Sequence, residues 1–255
     1  ELLASKSIAT AVGVYDGFTA KIVEQAGFDA ALISGAAVAT SLQGLPDNGM
    51  ITLTEMADAA KRISSCVSIP VIADADNGYG NALNVRRTVQ EFELGGCAAL
   101  QLEDQASPKK CGHMDGKEVI PTIEHCRKIE MAAATRNEML ILARTDAATV
   151  TGIDDAINRV NEYAKAGADF VIVDAPRTVE DLKKSGERVQ APVMVNLVEG
   201  GKTPYLSKEE LQDLGFSIVC YPGVCTLSVI KTEKLILNEL KRVGNTQKYK
   251  DFIGV

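Results

Sequence analysis

The chain has 255 residues, with 27 Lys and Arg against 34 Asp and Glu and a formal net charge of −7. Its 46% hydrophobic and 24% charged composition is that of a globular protein and excludes disordered, collagenous and fibrous classes. The acidic balance argues against nucleic acid as a partner, and no apolar run approaches the roughly 20 residues of a membrane helix.

Taken in chain order, short aliphatic runs alternate with longer amphipathic stretches. Strands are predicted at 8–14, 30–34, 71–74, 98–103, 140–144, 170–174, 193–196 and 217–221. Each is apolar on nearly every residue, as expected of strands buried on both faces of a parallel sheet. Helices are predicted between them at 19–26, 54–64, 85–94, 123–135, 154–166 and 208–214, with Thr54 and Asp154 as N-caps. A further apolar helix is expected at 226–240, suited to packing in an oligomer.

An internal echo runs through the chain in "AGFDAALIS", "GGCAALQLED", "AGADFVIVDA" and "LGFSIVCYP". Gly27, Gly96, Gly167 and Gly215 stand where a helix stops with a left-handed residue before the next strand. Eight such units at about 32 residues each fit a single-domain (β/α)8 TIM barrel, an α/β fold, over residues 1–255. An open doubly wound sheet is the alternative. The first strand–helix junction, "YDGF", lacks the G-x-G-x-x-G fingerprint of that class.

In such barrels the active site lies at the C-terminal ends of the strands, and polar residues collect there. Asp74 and Asp76 end the third strand, Glu103 the fourth, Arg144 lies in "ARTDA", Asp174 ends the sixth and Asn196 the seventh. Asp74, Asp76 and Glu103 form an oxygen-only set that suits Mg2+ or Mn2+, and Asp47 in "GLPDNG" is placed to accept a hydrogen bond from a metal-bound water. Residues 104–121 form the longest segment without predicted structure, and an active-site gating loop that moves is expected there. Within it Cys111 follows Lys109 and Lys110 and precedes Gly112 and His113. The two lysines favour a thiolate, which makes Cys111 a catalytic candidate. Cys66, Cys97, Cys126 and Cys220 read as small core residues, no CxxC pair is present, and Glu1 opens a mixed segment without a basic signal-peptide start. A reducing cytoplasm is the expected compartment.

The motifs "SGAAV", "GLPD", "DADNGYG", "LEDQ", "PKKCGH", "ARTDA" and "NLVEGGKTP", in that order from about Gly13 to Pro222, resemble the isocitrate lyase / phosphoenolpyruvate mutase superfamily. "KKCGH" separates its carbon–carbon lyases from its phosphonate mutases. The "CGHMDGKEV" continuation looks closest to the branch of 2,3-dimethylmalate lyase, petal death protein-type hydrolases and carboxyphosphonoenolpyruvate mutase-like enzymes. The resemblance implies Mg2+ binding by Asp74, Asp76 and Glu103, and backbone contacts from Ser34, Gly35 and Ala36 to a 2-oxo acid moiety. It implies that Arg144 holds a substrate carboxylate, that Asn196, Gly112 and His113 lie near a second one, and that Cys111 is catalytic. Asp174 stands where the lyases often carry Glu, and Val224 where many hydrolases and methylisocitrate lyases carry Ser or Thr.

The function these features imply is a Mg2+-dependent carbon–carbon lyase. It would cleave a 2-hydroxy di- or tricarboxylate, of 2-methylisocitrate or 2,3-dimethylmalate type, to pyruvate and a second acid. An oxaloacetate hydrolase or decarboxylase, a mutase-like enzyme and a non-catalytic dicarboxylate-sensing barrel are the alternatives. The resemblance further implies a homotetramer that exchanges C-terminal helices.

Overall fold

The computed structural model describes residues 2–5, 7–112 and 114–253. Eight strands close into one parallel barrel in sequence order: β1 (Ala9–Val14), β2 (Ala30–Ile33), β3 (Val71–Asp74), β4 (Ala99–Glu103), β5 (Leu140–Thr145), β6 (Phe170–Val173), β7 (Val193–Asn196) and β8 (Ile218–Tyr221). β8 pairs back onto β1 with Ala9 opposite Ile218. Around them run α1 (Gly17–Gln25), α2 (Gly35–Gln43), α3 (Leu53–Ser64), α4 (Ala82–Leu94), α5 (Thr122–Thr135), α6 (Ile153–Lys165), α7 (Val179–Arg188), α8 (Lys208–Asp213) and α9 (Val224–Val243). The fold is the (β/α)8 barrel that the alternating pattern predicts.

Two apolar layers explain why the strands read as unbroken hydrophobic runs. One set of residues, including Ala11, Leu32, Ile72, Ala99, Leu142, Ile172 and Met194, packs together inside the barrel, and Leu2 and Leu3 pack against it. The alternate set, such as Ile33, Ala73, Leu100, Ile141 and Val171, packs outward under the helices. Both faces are dry, so alternation is invisible in the sequence.

Gly27, Gly96, Gly167 and Gly215 have φ of +81°, +86°, +114° and +93°, the left-handed turn that each helix–strand junction requires. The two predicted N-caps are displaced. Thr52, not Thr54, caps α3, because Thr52 and Glu55 close a reciprocal capping box. Gly152 takes the cap position of α6, and Asp154 sits in its first turn, where a carboxylate favours the helix dipole. α2 and α7 escape the sequence reading. α2 is a run of small residues with little polar punctuation, and α7, "VEDLKKSGER", has only Leu182 and Ser185 buried. Cys97, Cys126 and Cys220 are buried as expected, and Cys66 is half-buried.

α9 buries no residue fully and leaves Leu227, Leu235, Leu237 and Leu240 exposed. Among the described residues no helix is long and apolar enough to cross a membrane.

His125 on α5 is fully buried, its ring edge-on to Tyr163 at 4.5 Å. Burial, reinforced by the charges of Lys128 and Arg159, pushes its pKa down to about 3 from the ordinary 6.5. The unfolded chain therefore binds this proton near pH 6.5 and the folded one does not. Its contribution to stability is full above pH 6.5 and is lost as pH falls toward 3, at up to about 1.4 kcal/mol per pH unit. Between pH 7 and pH 5, urea titrations should show the wild type losing about 2 kcal/mol more than His125→Leu. Equal losses would remove His125 from the acid limb.

Candidate active site

Strand periodicity decides which side chains reach the mouth of the barrel. Successive side chains point to opposite faces, so the residue two beyond an interior residue also faces inward. Leu32, Ile72, Ala99, Leu142, Ile172 and Met194 belong to the interior layer. Two positions further on stand Ser34, Asp74, Gln101, Arg144, Asp174 and Asn196, and all six line one cavity of about 120 Å³. Asp47, Cys111 and Gly112 complete its wall from the loops and Ala36 from the start of α2, while Val198 and Pro222 give it an apolar side. Gly35, Asp76 and Glu103 sit just behind this lining. His113 lies outside the described residues.

Asp74 is bound to the start of α2. Its Oδ2 accepts from Gly35 N at 3.2 Å, and its Oδ1 accepts from Asp76 N at 3.2 Å and Gln101 Nε2 at 3.1 Å. A carboxylate at a helix N-terminus satisfies an otherwise unpaired amide and the helix dipole together. Ser34 caps the same helix, its Oγ accepting from Ala37 N at 3.3 Å. Two of the amides at this helix start are thus engaged within the chain.

Asp76 holds a left-handed backbone (φ +48°), strain of a kind that clusters at functional sites. The ammonium of Lys109 lies 2.6 Å from Oδ1 of both Asp47 and Asp76. Burial pushes the Asp76 carboxyl up to about 6 despite that cation. Burial raises Glu103 well above the usual carboxylate range, with Arg144 and Lys109 pulling the other way. Burial alone would lower the Lys109 pKa, but Glu103, Asp76, Asp74 and Asp47 together raise it well above the usual value. Glu103 Oε1 is buried with no hydrogen-bond partner among the described residues. Negative charge at this rim exceeds what the lysine neutralises.

Arg144 anchors the other half of the site. Nε and Nη2 donate to Oδ2 and Oδ1 of Asp146 at 3.0 Å each, and Nη2 also lies 3.0 Å from Asp174 Oδ2. Glu103 Oε2 stands 3.5 Å from Nε. Asn196 Nδ2 donates to the other oxygen of Asp174 at 3.0 Å. Burial would raise the Asp146 carboxyl, but Arg144 and Lys117 hold it well below the usual range.

The 104–121 loop lies folded against both halves. Gln105 pairs with Val119 in an antiparallel bridge, and Cys111 N donates to the Asp47 carbonyl at 3.2 Å. The sequence reading gave Lys109 and Lys110 to the thiol. Here the Lys109 ammonium is committed to two carboxylates, and that of Lys110 donates to the Gly116 carbonyl at 2.8 Å. Gly112 is pressed onto the arginine network. A Cβ there would stand 2.0 Å from Asp174 Oδ2 and 2.3 Å from Arg144 Nη2.

Three participants were not singled out from sequence. Gln101 shares the interior parity of its strand and was legible in principle. Asp146 lies within "ARTDA", where an aspartate two residues after Arg144 has no signal that separates it from a turn residue. Lys117, on a loop with no periodicity, carried no signal at all.

Known proteins resemble this chain over most of its length. The model of the phosphoenolpyruvate phosphomutase family matches residues 1–240. A 2,3-dimethylmalate lyase of Eubacterium barkeri is 46% identical over 224 residues, 87% of this chain and 78% of that protein. A 2-methylisocitrate lyase of Aeropyrum pernix is 42% identical over 248 residues, 97% and 80% of the two chains. The structure of oxaloacetate acetylhydrolase with the inhibitor 3,3-difluorooxalacetate superposes with a TM-score of 0.95 at 31% identity, covering 99% of this chain and 88% of that one.

The crowding at Gly112 yields a direct prediction. Arg144 and Asp174 are side-chain ends, yet neither can retreat without breaking buried charge pairs, so the loop must yield instead. A crystal structure of Gly112→Ala should show residues 110–114 lifted by roughly 1–2 Å, the room a methyl carbon needs for van der Waals contact, with the barrel unmoved. An unshifted loop would mean that the arginine network is softer than its contacts imply.

Proposed function

The chain belongs to the phosphoenolpyruvate mutase/isocitrate lyase superfamily, and we propose that within it this protein is a Mg2+-dependent carbon–carbon lyase. It splits a 2-hydroxy di- or tricarboxylate of the 2,3-dimethylmalate or 2-methylisocitrate type into pyruvate and a second carboxylic acid. The observation that carries this reading is that Cys111 lines the same small cavity as Asp74, Arg144 and Asn196. About 120 Å³ lies well below the roughly 300–1,000 Å³ of drug-sized pockets, and so suits a small acid.

The rim fits a divalent cation by its chemistry. Its donors are oxygen-only, burial leaves Asp76 and Glu103 under-neutralised, and Glu103 Oε1 lacks a partner among the described residues. Among the described residues no three His, Cys, Asp or Glu side chains close tightly enough to hold an ion unaided. Mg2+ retains several waters and takes few carboxylates directly, so such a set suits it, and Mn2+ by the same chemistry. Asp74, Asp76 and Glu103 would hold the ion, with Asp47 beside its water. When bound, Mg2+ would lower the pKa of the substrate hydroxyl and offset the negative charge on its oxygen.

The chain's own groups do the rest. Arg144 pairs with a substrate carboxylate in the bidentate geometry it already shows toward Asp146. Asp47 accepts the hydroxyl proton. The C2–C3 electron pair goes to C3, C2 becomes the carbonyl of pyruvate, and C3 takes a proton from the Cys111 thiol. Closure of the 104–121 loop brings the thiol in and excludes water. The exposed leucines of α9 supply the face for packing against further copies of this chain.

A second reading, oxaloacetate hydrolysis, draws on the superposition with oxaloacetate acetylhydrolase. Against it stands Cys111 at the cavity wall, a group the lyase chemistry uses.

Coupling to lactate dehydrogenase tests the reading. Pyruvate should form from 2,3-dimethylmalate or 2-methylisocitrate with Mg2+ and stop on adding EDTA. Cys111→Ser should lower kcat by about 10²–10⁴-fold with KM little changed, the usual weight of a general acid. Acetate and oxalate from oxaloacetate, without pyruvate from either acid, would establish the hydrolase instead.

A further inference from the structure

Lys117 has no part in the steps above, yet it is a buried cation of the 104–121 loop, with its side chain 1% exposed. Its ammonium donates to Asp146 Oδ1 at 2.9 Å and, over a shorter distance, to the carbonyl of Gly112. Asp146 Oδ1 is the same oxygen that accepts from Arg144 Nη2 at 3.0 Å. One lysine therefore joins the loop, at the residue pressed onto Arg144, to the carboxylate that orients Arg144. Between Cys111 and Lys117 the chain makes a compact turn, closed by Met114 N to the Cys111 carbonyl at 2.9 Å and helped by Gly116 at φ +74°. Two further ammonium groups tether this turn, Lys110 to the Gly116 carbonyl at 2.8 Å and Lys202 to Asp115 at 2.6 Å, the latter at a carboxylate 89% exposed, where ion pairs contribute little.

We propose that Lys117 is a positioning residue that couples closure of the loop to the availability of Arg144 for a ligand carboxylate. With the loop down, Asp146 divides its charge between two cations, and Oδ1 is pulled toward Lys117. Arg144 is then less tightly claimed, and its N–H groups can turn to an incoming carboxylate. With the loop up, Asp146 falls back on Arg144, and the carboxylate site is weakened before substrate arrives. A dianion and a closed loop thus favour each other, a coupling that must act equally in both directions. The ligand class rests on the lyase reading; the coupling itself does not.

The test uses oxalate, a small dicarboxylate, in Mg2+ buffer, so that it does not depend on turnover. In Lys117→Met, calorimetry should show oxalate bound about 10- to 100-fold more weakly, the scale of one lost hydrogen bond to a charged group. Hydrogen exchange without ligand should show faster exchange confined to amides of residues 105–119. Lys117→Arg, which keeps the cation, should recover most of both effects, and Lys117→Gln serves in place of the methionine variant if that one does not fold. In an Asp146→Asn background, Lys117→Met should cost little more, because the two act as one unit. Wild-type affinity with unchanged loop exchange would overturn the proposal, and so would faster exchange spread over the whole barrel. If the wild type releases no pyruvate from any acid, the lyase reading fails while these measurements still decide the role of Lys117.

Discussion

Asp47, Asp74, Asp76, Glu103, Asp146 and Asp174 converge on one end of the barrel, and most of the site is a response to their mutual repulsion. Two like charges about 4 Å apart cost roughly 4 kcal/mol at an effective dielectric constant of 20, and burial makes each carboxylate dearer still. The fold answers with backbone and cations in turn. Asp74 is given the amide of Gly35 at the start of α2, and Asp146 is given a two-pronged arginine and a lysine. Asp47 and Asp76 share the ammonium of Lys109. Glu103 receives least, with one oxygen 3.5 Å from Arg144 and the other unpartnered among the described residues.

Such a network commits the residues around it. Removing one partner of a buried pair costs about 3–5 kcal/mol, mostly because a charge is left stranded, so the members cannot vary singly. That is why Gly112 must stay without a side chain and why Asp104 is wholly buried beneath the site. Asp104 accepts from Thr145 Oγ1 at 2.6 Å, Tyr163 OH at 2.8 Å and Asp146 N at 3.0 Å, fixing the turn after β5 that aims Asp146 at Arg144. A carboxylate far from any ligand thus sets the position of one beside it, as outer hydrogen bonds do for reacting groups in general.

How much of this was legible depended on whether a signal was local. The eight strands and their left-handed glycines were readable because each is a run of consecutive residues with one physical cause. The rim was readable in part because strand ends are fixed points and the polar residues there break an apolar run. The depth of the barrel's interior layer could have sharpened it: Gln101 is separated from Ala99 by one residue and shares its face. What could not be read was pairing at a distance. Lys109 looks, in sequence, like a neighbour of Cys111, but its side chain spans to residues 33 and 62 positions away. Nothing in "DGKEV" marks Lys117 as the partner of an aspartate in the turn after β5. α2 was missed for the opposite reason, since its small residues carry too weak a periodicity to declare a helix.

On the proposed reading, the loop also bears on how a chain of net charge −7 would accept a dianion. Without residues 104–121 Arg144 is, among the described residues, the one cation left to Asp146 and Asp174, and Asp47 and Asp76 lose Lys109. The loop adds two buried ammonium groups, Lys109 on one side of the cavity and Lys117 on the other, each seated against a carboxylate of the wall. On that reading the loop would be a component of the anion site as well as its cover. A single segment can then govern both affinity and the exclusion of water, because the charges that hold it shut are those that make the cavity fit for an acid. The barrel supplies the carboxylates on rigid strand ends, where their spacing is fixed, and the counter-charges arrive on the part that is free of the sheet. Chemistry in this fold can change by altering the loop while the strands keep their sequence, which is the sense in which a site is grafted onto a scaffold.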